Sequence, residues 1–180
     1  HTRTRRQRQM CIRDRAVHSL KDMPGDVEHP DLQICAVLER NSHHDVLLGT
    51  VKDNFILGTS SPGRKAQLEQ LYANQSVQIK PIRGNIDTRL AKLDAGEYDA
   101  IVLAEAGLQS LGIQREWTTL PIVPAVGQGI IALQTRKADT LTNSIVYKAN
   151  HQLTYEQAQL ERALLCLLYT SDAADEFSWV

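Results

Sequence analysis

The chain has 180 residues, 42% of them hydrophobic and 23% charged, with a formal net charge of −1. That balance is ordinary for a globular protein and gives no general case for nucleic-acid binding. No run of about eighteen apolar residues occurs, so no transmembrane helix is predicted. From the start of the chain, residues 1–15 carry six arginines against a single acid. A transit peptide would be serine-rich and amphipathic, and this arm is neither, so residues 1–15 are expected to be a non-native, assembly-derived arm. Leu32–Leu38 and Phe55–Leu57 read as short buried strands, the second ending at Gly58. Thr59–Gly63 is a polar turn, followed by a helical pattern from Arg64 to Tyr72. Val77–Ile82 reads as a strand. Ile86, Leu90 and Leu93 then signal a helix, with Gly96 placed just after its C-cap. Asp99–Ala104 is a buried strand, followed by a short helix to about Leu111. Strands alternating with helices over residues 55–111 predict a parallel α/β sheet. Pro121–Gly129 is a connection, Ile130–Leu133 a strand and Thr140–Ala149 a helix. Thr154 with Gln157 reads as a capping box opening a last helix to about Leu165. The tail from Leu167, with Leu-Leu-Tyr-Thr-Ser-Asp-Ala-Ala-Asp-Glu, resembles translated adapter sequence and is expected to be foreign.

Three cysteines, Cys11, Cys35 and Cys166, show no paired spacing. That pattern suits a reducing compartment and argues against a disulfide framework or a zinc site. Cys35, inside an apolar run, reads as a core residue.

In open α/β sheets, ligands bind beyond the carboxyl ends of the strands. Three polar clusters fall at such places. Thr59, Ser60 and Ser61 with Arg64 follow one strand. Arg83, Gly84 and Asn85 with Thr88 and Arg89 follow the next. A helix N-terminus offers backbone N–H groups and partial positive charge to an anion, and arginines add planar forks that match carboxylates. Taken singly, Thr59–Ser61 could be only a capping turn and the arginines only solvated. Two after consecutive strands favour an anion site. Neither a phosphate-binding Gly-x-x-x-x-Gly-Lys-Ser/Thr loop nor a Gly-x-Gly-x-x-Gly motif is present, so a nucleotide is not favoured. The third cluster is His18-Ser19-Leu20-Lys21-Asp22. Its Lys–Asp pair is either a plain surface pair or a carboxylate held among cations, able to move a proton or stabilise a developing positive charge. His43-His44-Asp45 has no further clustered ligands and reads as a polar loop rather than a metal site.

Taken together, these motifs resemble the porphobilinogen deaminase (hydroxymethylbilane synthase) family. The resemblance rests on Ala16–Pro24, Gly58–Ser61, Arg83-Gly84-Asn85 with Thr88-Arg89-Leu90, Leu93–Ile101, and Pro124–Gly129, in the same order and spacing. It covers residues 16–165. It implies an α/β fold of two periplasmic-binding-protein-like domains, the first incomplete, plus the start of a small α+β third domain. On that scheme residues 16–40 and 133–151 form the partial first domain. Residues 41–132 form the second, 152–168 begin the third, and 169–180 are a non-native tail.

The resemblance also implies the activity. The family condenses four porphobilinogen units into hydroxymethylbilane with release of ammonia, in tetrapyrrole (haem or chlorophyll) biosynthesis. Its cofactor is a dipyrromethane carried covalently on a cysteine, which this chain is expected to lack. Asp22 matches the family's catalytic aspartate, which contacts pyrrole nitrogens and balances an azafulvene-like cation. Ser19, Lys21, Arg40, Thr59, Ser60, Ser61, Arg64, Arg83, Gly84 and Arg89 match cofactor- and substrate-binding positions. Two departures are Gly63 and Ser110, where the family usually has arginine. The implied partner is the small molecule porphobilinogen, with no metal, nucleic acid or membrane. The implied state is a monomer in the cytoplasm, or in an organellar stroma if the source bears plastids. The fragment itself is expected to be inactive. The alternative function is a non-catalytic anion- or solute-binding module on the same fold.

Overall fold

The computed structural model describes residues 15–24 and 29–170. Residues 1–14 of the basic arm and residues 171–180 of the tail lie outside them. The chain divides into two compact units. One takes the chain up to Asn41 and again from Ile130, and the other is Ser42–Gly129.

The Ser42–Gly129 unit is built on a five-stranded sheet in the order β5-β4-β6-β3-β7. Its strands are β3 (Asp45–Gly49), β4 (Asn54–Gly58), β5 (Ser76–Lys80), β6 (Ala100–Ala104) and β7 (Thr118–Thr119). Its helices are α1 (Pro62–Leu71), α2 (Ile86–Asp94) and α3 (Glu105–Ser110). β4 runs parallel to both β5 and β6, as the strand–helix alternation predicts. The sheet is nevertheless mixed, because β3 lies antiparallel to β6 and to β7.

Both faces of this sheet are covered, which explains why its strands read as apolar runs rather than alternating ones. Val46, Leu48, Ile101 and Leu103 point to one side and pack with Ile82, Leu90 and Leu108. Leu47, Ala100 and Val102 point to the other and pack with Phe55, Leu57, Leu68 and Leu120. Burying each large side chain of this kind stabilises by about 1.5–3 kcal/mol. Successive residues of β3 and β6 thus serve two different cores, so neither strand tolerates a slip of one residue. α2 stops where Gly96 takes φ +74, the left-handed conformation expected of the residue after a C-cap.

The other unit holds a three-stranded antiparallel sheet in the order β1-β8-β2. Its strands are β1 (Arg15–Ser19), β2 (Leu32–Val37) and β8 (Ile131–Arg136). Thus β8, late in sequence, is the central strand, paired to β1 on one side and β2 on the other. Helices α4 (Thr140–Val146) and α5 (Gln152–Thr170) complete the unit. Its core joins Leu20, Val37, Ile130, Ala132 and Ala158.

Two sequence expectations need correction here. Thr154 does not open the last helix; it is buried inside the first turn of α5. His151 stands in front of the helix, and its Nδ1 accepts from the Thr154 backbone N–H at 3.4 Å. Thr154 Oγ1 accepts from the Arg40 backbone N–H at 3.1 Å and lies 2.8 Å from His151 Nδ1. Asp45 is not part of a polar loop but the first residue of β3, 1% exposed. A buried aspartate opening a strand gives no hydrophobic signal to read.

Candidate functional site

Within the Ser42–Gly129 unit, the turns after β4 and β5 are joined by hydrogen bonds that sequence spacing cannot show. The Thr59 backbone N–H donates to the Lys80 carbonyl at 3.0 Å. The Ser60 hydroxyl donates to the Ile82 carbonyl at 2.7 Å. Thr59 itself is buried, and its Oγ1 accepts from the Ser61 backbone N–H at 3.3 Å. Ser61 caps α1 by accepting from the Arg64 N–H at 3.4 Å, with Pro62 at the first helical position, where a missing N–H costs nothing. The turn is therefore a cap, as one of the two readings had it.

The second turn carries free charge. Asn85 caps α2, its Oδ1 accepting from the Thr88 N–H at 2.8 Å and the Thr88 hydroxyl at 2.6 Å. Gly84 adopts φ +118, and a Cβ there would stand 2.7 Å from Thr88 Cγ2, so the turn needs glycine. The Gly84 carbonyl accepts from Arg89 Nε at 2.8 Å. That bond orients Arg89, whose terminal amino groups have no hydrogen-bond partner among the described residues. Burial first, and then the charge of Arg64, pull the Arg89 guanidinium below its ordinary pKa. Arginine nevertheless stays charged at any relevant pH. Arg83 is exposed, and its guanidinium likewise has no partner among the described residues. Ser60, Arg83 and Arg89 thus lie on turns that are hydrogen-bonded together, with two guanidinium groups open to an anion.

Arg64 is placed differently. It donates to Asp45 through Nε at 3.1 Å and through Nη2 at 2.6 Å. Its Nη1 donates to the Val102 carbonyl and its Nη2 also to Gln128 Oε1, both at 3.4 Å. Gln128 Nε2 in turn donates to Asp45 Oδ1 at 2.7 Å and to the His43 carbonyl at 2.9 Å. Asp45 and Gln128 were not among the expected site residues. Their partners are 19 and 83 positions away, so no local spacing marks them. At the two departures, Gly63 is exposed with nothing within 4 Å of a built Cβ. The Ser110 hydroxyl bonds back to the Ala106 carbonyl at 2.7 Å.

In the other unit, the Leu20 backbone N–H donates to the Ile130 carbonyl at 2.9 Å and the Leu20 side chain is buried. This pins the 3₁₀ turn Leu20–Asp22 just beyond β1 and brings Ser19, Lys21 and Asp22 together. Asp22 is exposed, and its carboxylate has no hydrogen-bond or ion-pair partner among the described residues. Arg40 is paired with Glu161. Met23 and Pro24 border a cavity of about 430 Å³ whose ionisable lining, among the described residues, includes His29, Lys137 and Arg162. Among the described residues no group of three or more His, Cys, Asp and Glu could hold a metal ion. No helix among them is long and apolar enough to cross a membrane.

Comparison with known proteins puts this geometry in context. A family model described as "Porphobilinogen deaminase, dipyromethane cofactor binding domain" matches residues 9–144. The chain is 44% identical over 161 residues to a probable porphobilinogen deaminase of Methanocaldococcus jannaschii, covering 84% of this chain and 54% of that protein. It is 40% identical over 160 residues to the porphobilinogen deaminase of Coxiella burnetii, covering 84% and 51%. The same enzyme of Rickettsia prowazekii is 40% identical over 164 residues, covering 84% and 54%. Among solved structures, the chain is similar to YhfZ from Shigella flexneri at TM-score 0.44 and 18% identity, over 86% of this chain and 70% of that one. The chain spans about half the length of the curated relatives it matches. A family match over most of the chain, with relatives at 40–44% identity, shows that it belongs to the porphobilinogen deaminase family.

Proposed function

We propose that this sequence forms the cofactor- and substrate-binding part of a porphobilinogen deaminase, which joins four porphobilinogen units into hydroxymethylbilane and releases ammonia. The observation that carries the reading is the pair of open guanidinium groups, Arg83 and Arg89, on turns bonded together at the carboxyl ends of β4 and β5. Each pyrrole of the substrate bears two carboxylates, and planar guanidinium forks match them. The family's dipyrromethane shares that chemistry and fits the same donors. Arg83 and Arg89 would hold its carboxylates, and Ser60 would tie their turn to the one after β4. Ser19 and Lys21 are the polar groups beside Asp22. When bound, it supplies the pyrrole end to which each unit is added.

Asp22 is the proposed catalytic residue. An exposed, unpartnered carboxylate can accept from a pyrrole N–H and offset positive charge as the amine leaves. Arg40 contributes by anchoring its segment to Glu161 and Thr154. Arg162 and Lys137 belong to the separate basic cavity and have no part in this scheme. The proposal extends to a monomeric cytoplasmic enzyme whose third domain begins near residue 152, with this chain by itself inactive.

A second reading, a non-catalytic anion-binding module, is favoured by Gly63 and Ser110, which stand where two further cations are expected. Asp22→Asn in the gene product carrying this sequence separates the two. The enzyme reading expects a folded protein with most turnover of porphobilinogen lost. Undiminished turnover removes Asp22 from the chemistry. Absence of any turnover in the parent, with porphobilinogen still bound, favours the module.

A further inference from the structure

Arg64, whose charge acts on Arg89, carries its own counter-ion. Asp45 is a carboxylate 1% exposed, and the Arg64 side chain 14% exposed. Four side-chain hydrogen bonds leave Arg64 committed: two to Asp45, one to Gln128 and one to the Val102 carbonyl. Of its five N–H groups at most one remains for a ligand. A buried carboxylate stripped of its partner is costly, and its field in a water-poor site is weakly screened.

We propose that Arg64 serves the anion site as a positioning residue that covers the charge of Asp45, while Arg89 is the cation that meets the ligand. The inference rests on the carboxylate-binding reading above and refines it. Removing Arg64 then harms binding chiefly by exposing the site to Asp45, not by deleting a contact. A direct ligand and a charge cover make opposite forecasts for a double substitution. If Arg64 touches the ligand, neutralising Asp45 cannot repair its loss. If Arg64 covers Asp45, removing both charges leaves a neutral pair in place of a neutral pair.

The test uses the chain as given, with R64Q, D45N and D45N/R64Q, titrated with tricarballylate and followed by the Arg89 Nε–H resonance. R64Q should lose about tenfold or more in affinity, the order expected for one uncovered charge at an effective dielectric of about 20. D45N/R64Q should return to within about threefold of the parent. If R64Q does not fold, a folded double variant with parental affinity supports the proposal. Equal weakening in R64Q and D45N/R64Q overturns it.

Failure of the carboxylate-binding reading shows separately, as no binding of tricarballylate to the parent chain. Urea unfolding then decides. The charge cover requires the urea midpoint of D45N/R64Q to lie above that of R64Q, because R64Q alone leaves Asp45 buried without its counter-ion. Equal midpoints overturn it.

Discussion

Arg89 Nε donates to the Gly84 carbonyl at 2.8 Å, across a turn that closes only because Gly84 holds φ +118. The bond uses one edge of the guanidinium and leaves the other facing outward. The backbone conformation of a glycine therefore sets the direction of a charge. This relationship gives one cation of the Arg83–Arg89 segment a fixed orientation.

Gly84→Ala should accordingly act on stability and binding together. A Cβ would meet Thr88 Cγ2 at 2.7 Å and Thr88 Cβ at 2.8 Å in a conformation L-residues rarely adopt. Denaturant unfolding should show a loss of about 1–3 kcal/mol, and carboxylate affinity should fall with it. Gly63→Ala is the contrasting case. Nothing lies within 4 Å of its Cβ and it sits in α1, so it should gain about 0.5–1 kcal/mol. Loss of stability there would contradict the open space seen around Gly63.

Asn85→Ala removes the acceptor of both Thr88 bonds, at 2.8 and 2.6 Å. Such cap losses cost about 1 kcal/mol, within about 0.5–2. The first turn of α2 should then show faster amide exchange, most of all at Thr88. Unchanged protection of the Thr88 amide would mean the cap is not what holds the turn.

Arg89→Gln should weaken carboxylate binding by about 1–3 kcal/mol, the range for hydrogen bonds to charged groups. Arg83→Gln should cost less, because Arg83 is exposed and more strongly screened by solvent. Calorimetry at two salt concentrations checks both. A larger loss at Arg83 would place the ligand further from α2 than the Gly84–Arg89 geometry implies.

The acid limb of stability should carry the mark of Asp99. The Lys52 ammonium, bonded at 2.5 Å, and then the Ile56 N–H, at 2.8 Å, hold its carboxyl below the ordinary carboxylate value. A depressed folded value means the contribution is fully present above the unfolded pKa of about 4. It is lost as pH falls through the lower folded value. Carboxyl-detected titration of Lys52→Met should show the Asp99 midpoint moving up toward its ordinary value, with the Ile56 bond retaining part of the depression. An unmoved midpoint would show that Lys52 is not its main partner.

Much of this protein was legible in its sequence because the deciding interactions are local. The period of Ile86, Leu90 and Leu93 and the Gly96 terminator mark α2 within one stretch of chain, and the structure forms Ile86–Asp94. The same holds for β4, β6 and α1, where apolar runs and turn residues bound each element. The family motifs, also local, pointed to the membership that the comparisons show.

What only the tertiary structure decided involves partners far apart in sequence. β3 begins at a buried aspartate whose charge is balanced by Arg64, 19 residues on, and which also accepts from Gln128, 83 residues on. A hydrophobicity pattern cannot announce a strand that opens on a charge paired from elsewhere. Thr154 matches a capping box locally, yet the fold uses its hydroxyl for the Arg40 backbone and gives the cap to His151. Arg64 and Arg89 look alike as sequence, two cations one turn into successive helices. Asp45 pairs with the first and the Gly84 carbonyl accepts from the second, so only the three-dimensional placement tells their surroundings apart.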